Sequence, residues 1–260
     1  MKLYFAGATG KDIAWLKLFG AQRFLISYFY INQKLLDLHS DTKDLFIDSG
    51  AFSAFTQKKE INLTNYISFL REKQYETYAG LDVIRDPEKS LININIMKSH
   101  NLNPIATFHK RSDIKYLYEV IENNDYIALG GLAGIDKSKS KNHHWLDSVF
   151  KIITTEKPSL KVHGFACTSL SIMKEYPWYS VDSSTWNVAH KFGESYDENG
   201  YRVKKKDLIN LFNEEKKHLR FFLEFKEFLV YKCVSTMLKM ETNSTGTSKD
   251  FHSQQTLFVD

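Results

Sequence analysis

Residues 45 to 52 read Leu-Phe-Ile-Asp-Ser-Gly-Ala-Phe. An apolar run of strand length stops on a carboxylate, and a Ser-Gly pair then offers the chain a turn. Over residues 63–73 the period changes: Tyr66, Ile67, Phe69 and Leu70 fall on one stripe of a helix. This is one strand-then-helix unit with a polar residue at the carboxyl end of its strand. Seven more runs rich in β-branched and aromatic residues repeat it. They are LYFAGA from Leu3, FLISYF from Phe24, TYAGLDVI from Thr77, PIATFH from Pro104, YIALGGLA from Tyr126, KVHGFAC from Lys161 and YSVDSSTW from Tyr179. A second short helix is expected over residues 114–121, carried by Leu117, Val120 and Ile121, and a long closing helix over residues 207–239, carried by Leu208, Leu211, Phe212, Leu219, Phe222 and Leu223. Eight such units specify an α/β chain folded as a single-domain TIM (β/α)8 barrel. An open doubly wound sheet would put a glycine-rich phosphate turn after its first strand, and Gly7-Ala8-Thr9-Gly10 is only a partial version of one.

Composition agrees with one compact domain. The chain has 260 residues, 43% of them hydrophobic, and barrels of this kind run to about 250 residues. Its four prolines and twelve glycines are spread thinly. The barrel is therefore expected to occupy residues 1–240, with a loosely ordered polar tail over residues 241–260. No run approaches the roughly 20 apolar residues of a membrane span, and the amino terminus lacks the basic-then-apolar pattern of a secretion signal, so no membrane partner and a cytoplasmic location are expected. Cys167 and Cys233 are too few for a framework of disulfides or for a multi-cysteine zinc site. The net charge of +4 permits an anionic partner without requiring one. Lys204, Lys205, Lys206, Lys216, Lys217 and Arg220 cluster late in the chain, where a solvated helix face is the simpler reading and phosphate contact the lesser one.

In a barrel the chemistry sits at the carboxyl ends of the strands, so polar residues there carry information. Asp48, Asp82 and Asp182 each follow an apolar run and point to one shared acidic mouth. Any one of them could be a strand-end cap, but three at equivalent ends suit metal binding or a division of nucleophile and acid/base roles at an anomeric carbon. His109 and His163 end neighbouring strands, where hydrogen bonding to a ligand or to backbone is a commoner role than metal ligation. Gly130, Gly131 and Gly164 fit either a close approach of backbone to a flat ligand or simple turns.

The segment Ile47-Asp48-Ser49-Gly50-Ala51-Phe52 resembles the DSGGFQ segment of the tRNA-guanine transglycosylases, and Gly130-Gly131-Leu132-Ala133 resembles their GGLA segment. Nearer still is the phage and bacterial DNA 7-deazaguanine transglycosylase branch, with DSGAF-like, HGF-like and VDS-like segments matching residues 48–52, 163–165 and 181–183. The likeness spans residues 45–186. It implies that Asp182 is the nucleophile, that Asp48 is the general acid/base, and that Asp82 receives the guanine-like edge of the base. Ser49, Gly50, Phe52, His109, Gly130, Gly131, Leu132, His163, Gly164 and Trp186 would then surround the substrate, with Phe52 and Trp186 sandwiching a base that has left the stack. The implied partners are DNA, or alternatively tRNA, and a 7-deazaguanine such as 7-cyano-7-deazaguanine, with no cofactor.

One departure from the tRNA enzymes shapes the choice of substrate. Their zinc site uses a C-x-C-x-x-C run after the eighth strand, where this chain has only Cys233, so no metal is expected and DNA is favoured over tRNA. A replacement grip could lie over residues 192–206, where Asn199-Gly200 signals a hairpin that runs into three lysines, though a solvated loop is the commoner reading of such a segment. Two other classes stay open: a non-catalytic nucleic-acid-binding barrel, and a retaining glycoside hydrolase, which needs two carboxylates about 5 Å apart and is disfavoured by the GGLA segment.

Overall fold

A computed structural model describes residues 1–42, 44–132, 139–167, 169–197, 203–217 and 224–243. All eight expected strands form: β1 (Lys2–Ala6), β2 (Arg23–Ser27), β3 (Asp44–Asp48), β4 (Thr77–Tyr78), β5 (Ala106–His109), β6 (Tyr126–Gly130), β7 (Lys161–Gly164) and β8 (Ser180–Ser183). Every pairing is parallel, in the order β4-β3-β2-β1-β8-β7-β6-β5. The ring closes between its two end strands. Ala79 bridges Ile105 in parallel, with the Gly80 N–H donating to the Ile105 carbonyl and the Ile105 N–H to the Tyr78 carbonyl, both at 2.9 Å. Closure removes the unpaired edges that an open sheet of this size would expose.

The period-two alternation of the strands produces two cores. Tyr4, Ala6, Leu25, Phe46, Ala79, Ile105 and Ala128 fill the barrel interior, with several alanines where the taper leaves least room. Their neighbours Leu3, Phe5, Phe24, Ile26, Ile47, Ile127, Leu129 and Val181 face outward into the layer beneath the helices. The helix Leu63–Lys73 spans the residues expected of it and buries Tyr66, Ile67 and Leu70, with the Asn62 side chain accepting from the Asn65 N–H at 3.0 Å. Over residues 114–121 a helix also forms, as Lys115–Asn123.

The expected long helix over residues 207–239 is replaced by two, Lys205–Glu215 and Phe225–Asn243. Leu208, Leu211 and Phe212 lie on the first of these, which packs on the second, and Leu219, Phe222 and Leu223 lie outside the described residues. The Phe212 ring lies 5.5 Å from Phe225 and 5.2 Å from Phe228. One straight helix would separate Phe212 from Phe225 by about 20 Å. The hairpin expected at Asn199-Gly200 lies outside the described residues. Residues 241–243 of the expected loose tail are instead the end of the helix Phe225–Asn243, where the Glu241 carboxylate accepts the Leu3 N–H at 3.1 Å, and residues 244–260 lie outside the described ones.

Candidate active site

The carboxyl ends of the strands gather the three aspartates at one mouth. Asp48 is the last residue of β3 and pairs in register with Ser27 of β2. Asp182 faces into the barrel from β8 beside Tyr4 of β1. Asp82 follows the short β4 by four residues.

Gly50 sets the turn that presents Asp48. Its φ of 80° is left-handed, and a Cβ there would sit 2.5 Å from the Phe29 Cβ and 2.7 Å from the Ser27 Oγ, so only glycine fits. The Gly50 N–H donates back to the Asp48 carboxylate at 3.1 Å. Burial pushes the Asp48 carboxyl up to about 7, and the charges of Asp182 and Asp82 add to the rise. Asp48 therefore keeps its proton to a higher pH than a free carboxyl does.

Asp182 is 5% exposed and is fixed from two sides on one oxygen. Its Oδ1 accepts the Ala166 N–H at 2.8 Å and lies 3.3 Å from His163 Nε2. Asp82 and His109 pair at 2.9 Å between Oδ2 and Nε2. Burial alone would lower the His109 imidazolium, but the hydrogen bond and charge of Asp82 outweigh it and leave its pKa raised. The mouth thus holds a carboxyl whose pKa is raised, a second carboxyl anchored on one oxygen and an aspartate–histidine pair. An acid and a carboxylate held in different environments are what acyl-like or glycosyl transfer through a covalent intermediate requires.

Several residues expected at the ligand lie elsewhere. His163 is fully enclosed inside the barrel, with its ring 4.7 Å from those of Phe46 and Phe165, so it lies behind Asp182 and out of reach of a substrate. Gly164 points outward because His163 beside it on β7 points in, and a Cβ there would lie 3.1 Å from Trp178. It makes room for the outer core. Trp186 is 1% exposed in that same outer core, with its indole N–H donating to the Ala6 carbonyl at 2.9 Å, so it cannot sandwich a base. The Leu132 side chain also belongs to the outer core, and Ser49 is enclosed at 2% exposure. A Cβ on Gly130 would lie 2.5 Å from His109 Nδ1, so this glycine seats the imidazole. Gly131 has a φ of 89° and passes close to Lys110. Phe52, 68% exposed on the helix Ala51–Thr56, stands on the rim where a base could meet it. Ala133, which completes the GGLA-like segment, lies outside the described residues.

Sequence reasoning missed Ser180 and Tyr126. The Ser180 Oγ is 2.6 Å from His163 Nδ1 and also hydrogen bonds the Tyr126 hydroxyl. Ser180 was findable, since it lies two residues before Asp182 and so on the same face of β8. Tyr126 was not, because β7 separates its strand from β8 and only the curvature of the barrel brings the two together. Among the described residues, no group of three or more His, Cys, Asp or Glu side chains is arranged to hold a metal ion. No helix there is long and apolar enough to cross a membrane.

No family model matches the chain, and no curated protein sequence matches it significantly. Solved structures do. The tryptophan synthase alpha chain from Legionella pneumophila subsp. pneumophila aligns with a TM-score of 0.52 at 9% identity, over 95% of this chain and 93% of that one. The tryptophan synthase alpha subunit from Legionella pneumophila strain Paris aligns with a TM-score of 0.51 at 9% identity, over 93% of each chain. At such identity the likeness is one of fold, and the protein is a single-domain TIM barrel.

Proposed function

We propose that the protein is a DNA guanine transglycosylase that exchanges guanine for a 7-deazaguanine derivative. The observation that carries the reading is the pairing of roles at the mouth: Asp48 raised to about 7 beside the anchored Asp182, each on a segment that resembles its counterpart in the guanine transglycosylases. In the first step an Asp182 oxygen forms a bond to C1′ of the target nucleotide as the C1′–N9 bond breaks. The departing guanine takes the Asp48 proton. In the second step Asp48, now ionised, accepts the N9 proton of the incoming base, whose nitrogen bonds to C1′ and releases Asp182. Two inversions leave the anomeric configuration unchanged.

The target base must leave the stack to reach a site at the bottom of a barrel mouth, and Phe52 on the rim offers it an aromatic face. Asp82 and His109 supply an acceptor and a donor for the edge of a guanine-like base. DNA is favoured over tRNA because the cysteines of the tRNA enzymes' zinc site are missing. The setting for such a reaction is the cytoplasm, the host's if the gene is carried by a phage.

The test is incorporation of radiolabelled guanine, and separately of 7-cyano-7-deazaguanine, into duplex DNA and into unmodified tRNA. Label in DNA that disappears in Asp182→Asn supports the proposal. Label only in tRNA would reassign the substrate, and label in neither would remove the activity.

A further inference from the structure

The wall behind Asp182 holds a line of hydrogen bonds that the proposed reaction does not use. It runs from the Tyr126 hydroxyl to Ser180 Oγ, from there at 2.6 Å to His163 Nδ1, and from His163 Nε2 at 3.3 Å to Asp182 Oδ1. His163 has no exposed surface, and the rings of Tyr4, Phe46 and Phe165 surround it at 6.1, 4.7 and 4.7 Å. A histidine packed this tightly cannot turn its ring to choose another partner.

We propose that His163 is a positioning residue for Asp182, locked by Ser180 and Tyr126 in the tautomer that carries its proton on Nε2, so that Oδ1 is pinned and Oδ2 is the attacking oxygen. For a neutral ring the donors and acceptors allow one consistent direction. Asp182 Oδ1 already accepts the Ala166 N–H at 2.8 Å, so it meets His163 as an acceptor and Nε2 must bring the hydrogen. A neutral ring with its proton on Nε2 leaves Nδ1 as an acceptor, which the Ser180 hydroxyl fills. Ser180 Oγ is then free to accept from the Tyr126 hydroxyl. The reverse direction would set a lone pair on Nε2 against the carboxylate. With two donors on Oδ1, the Asp182 carboxylate cannot spin about its Cβ–Cγ bond. Among the described residues no protein donor meets Oδ2. The same two bonds that hold the carboxylate therefore leave the second oxygen for C1′, and a nucleophile displaced by 1 Å can lose about 10²-fold in rate.

The catalytic consequence rests on Asp182 being the nucleophile, but the tautomer does not, and the test separates them. Protein labelled with 15N-histidine is examined by long-range 1H–15N correlation at pH 8 as wild type and as Ser180→Ala. The wild type should show His163 protonated on Nε2 alone, and Ser180→Ala should shift the Nδ1 resonance, which loses its hydrogen-bond donor, while Nε2 keeps the proton. A wild-type His163 protonated on Nδ1 would overturn the proposal whatever the protein catalyses. Exchange kinetics then compare His163→Leu with His163→Gln, whose amide can replace the Nε2 donor. Leucine should lower kcat by about 10²-fold with KM changed by no more than about twofold, and glutamine should restore at least about tenfold of the loss. Equal rates in wild type and His163→Leu, or a folded His163→Gln no faster than His163→Leu, would refute the positioning role. If wild type exchanges no base at all, the transglycosylase reading fails while the spectroscopic result still stands or falls alone.

Discussion

Replacing Asp48 with asparagine should stabilise the protein above neutral pH, because the native fold holds this carboxyl where ionisation is unfavourable. Its pKa rises from 3.8 to about 7 through burial first and the charges of Asp182 and Asp82 second. A carboxyl whose pKa is raised on folding binds its proton more tightly in the native state. Stability therefore falls as pH rises through the window from the unfolded value to the folded one, and is level above it. The window spans roughly three pH units at about 1.36 kcal/mol each, or ~4 kcal/mol for a fully enclosed group. Asp48 is partly open to the mouth, and water there screens the charge, so about 2 kcal/mol is the smaller figure expected. Urea denaturation of wild type and Asp48→Asn across pH 4 to 9 would measure this. The gain in the variant should be near zero at pH 4, grow through pH 5 and 6, and level off above about pH 7. A constant difference across the range, or a less stable variant at pH 8, would show that burial and the neighbouring carboxylates do not govern Asp48. The same substitution should also slow base exchange by at least about 10²-fold, so the stabilised variant would be the inactive one.

The first half of the proposed exchange would need Asp48 protonated, so the rate of guanine release in a single-turnover assay should decline above about pH 7; a rate still climbing at pH 9 contradicts that role. Gly50→Ala should cost roughly 2 to 4 kcal/mol, the sum of a left-handed alanine and the overlap with Phe29, and thermal unfolding at wild-type Tm would refute it. Trp186→Ala should lose about 3 to 5 kcal/mol as a core cavity. A variant of wild-type stability but impaired base binding would return Trp186 to the mouth.

The sequence alone determined the eight strands, because a buried parallel strand reads as a short apolar run and its last polar residue marks the catalytic end. It also placed Asp48 and Asp182, since a carboxylate directly after such a run has little other place to point. Tertiary structure decided what each neighbour faces. His163 and Gly164 are adjacent, yet one fills the barrel interior and the other admits Trp178 to the outer core, because β7 turns alternate residues to opposite sides. Trp186 lies four residues after Asp182 and still sits in the core, where its indole N–H meets the Ala6 carbonyl. The raised pKa of Asp48 belongs wholly to the folded state. Carboxylates 34, 100 and 134 residues apart in the chain cannot feel one another until the ring closes, and local sequence carries no record of that distance.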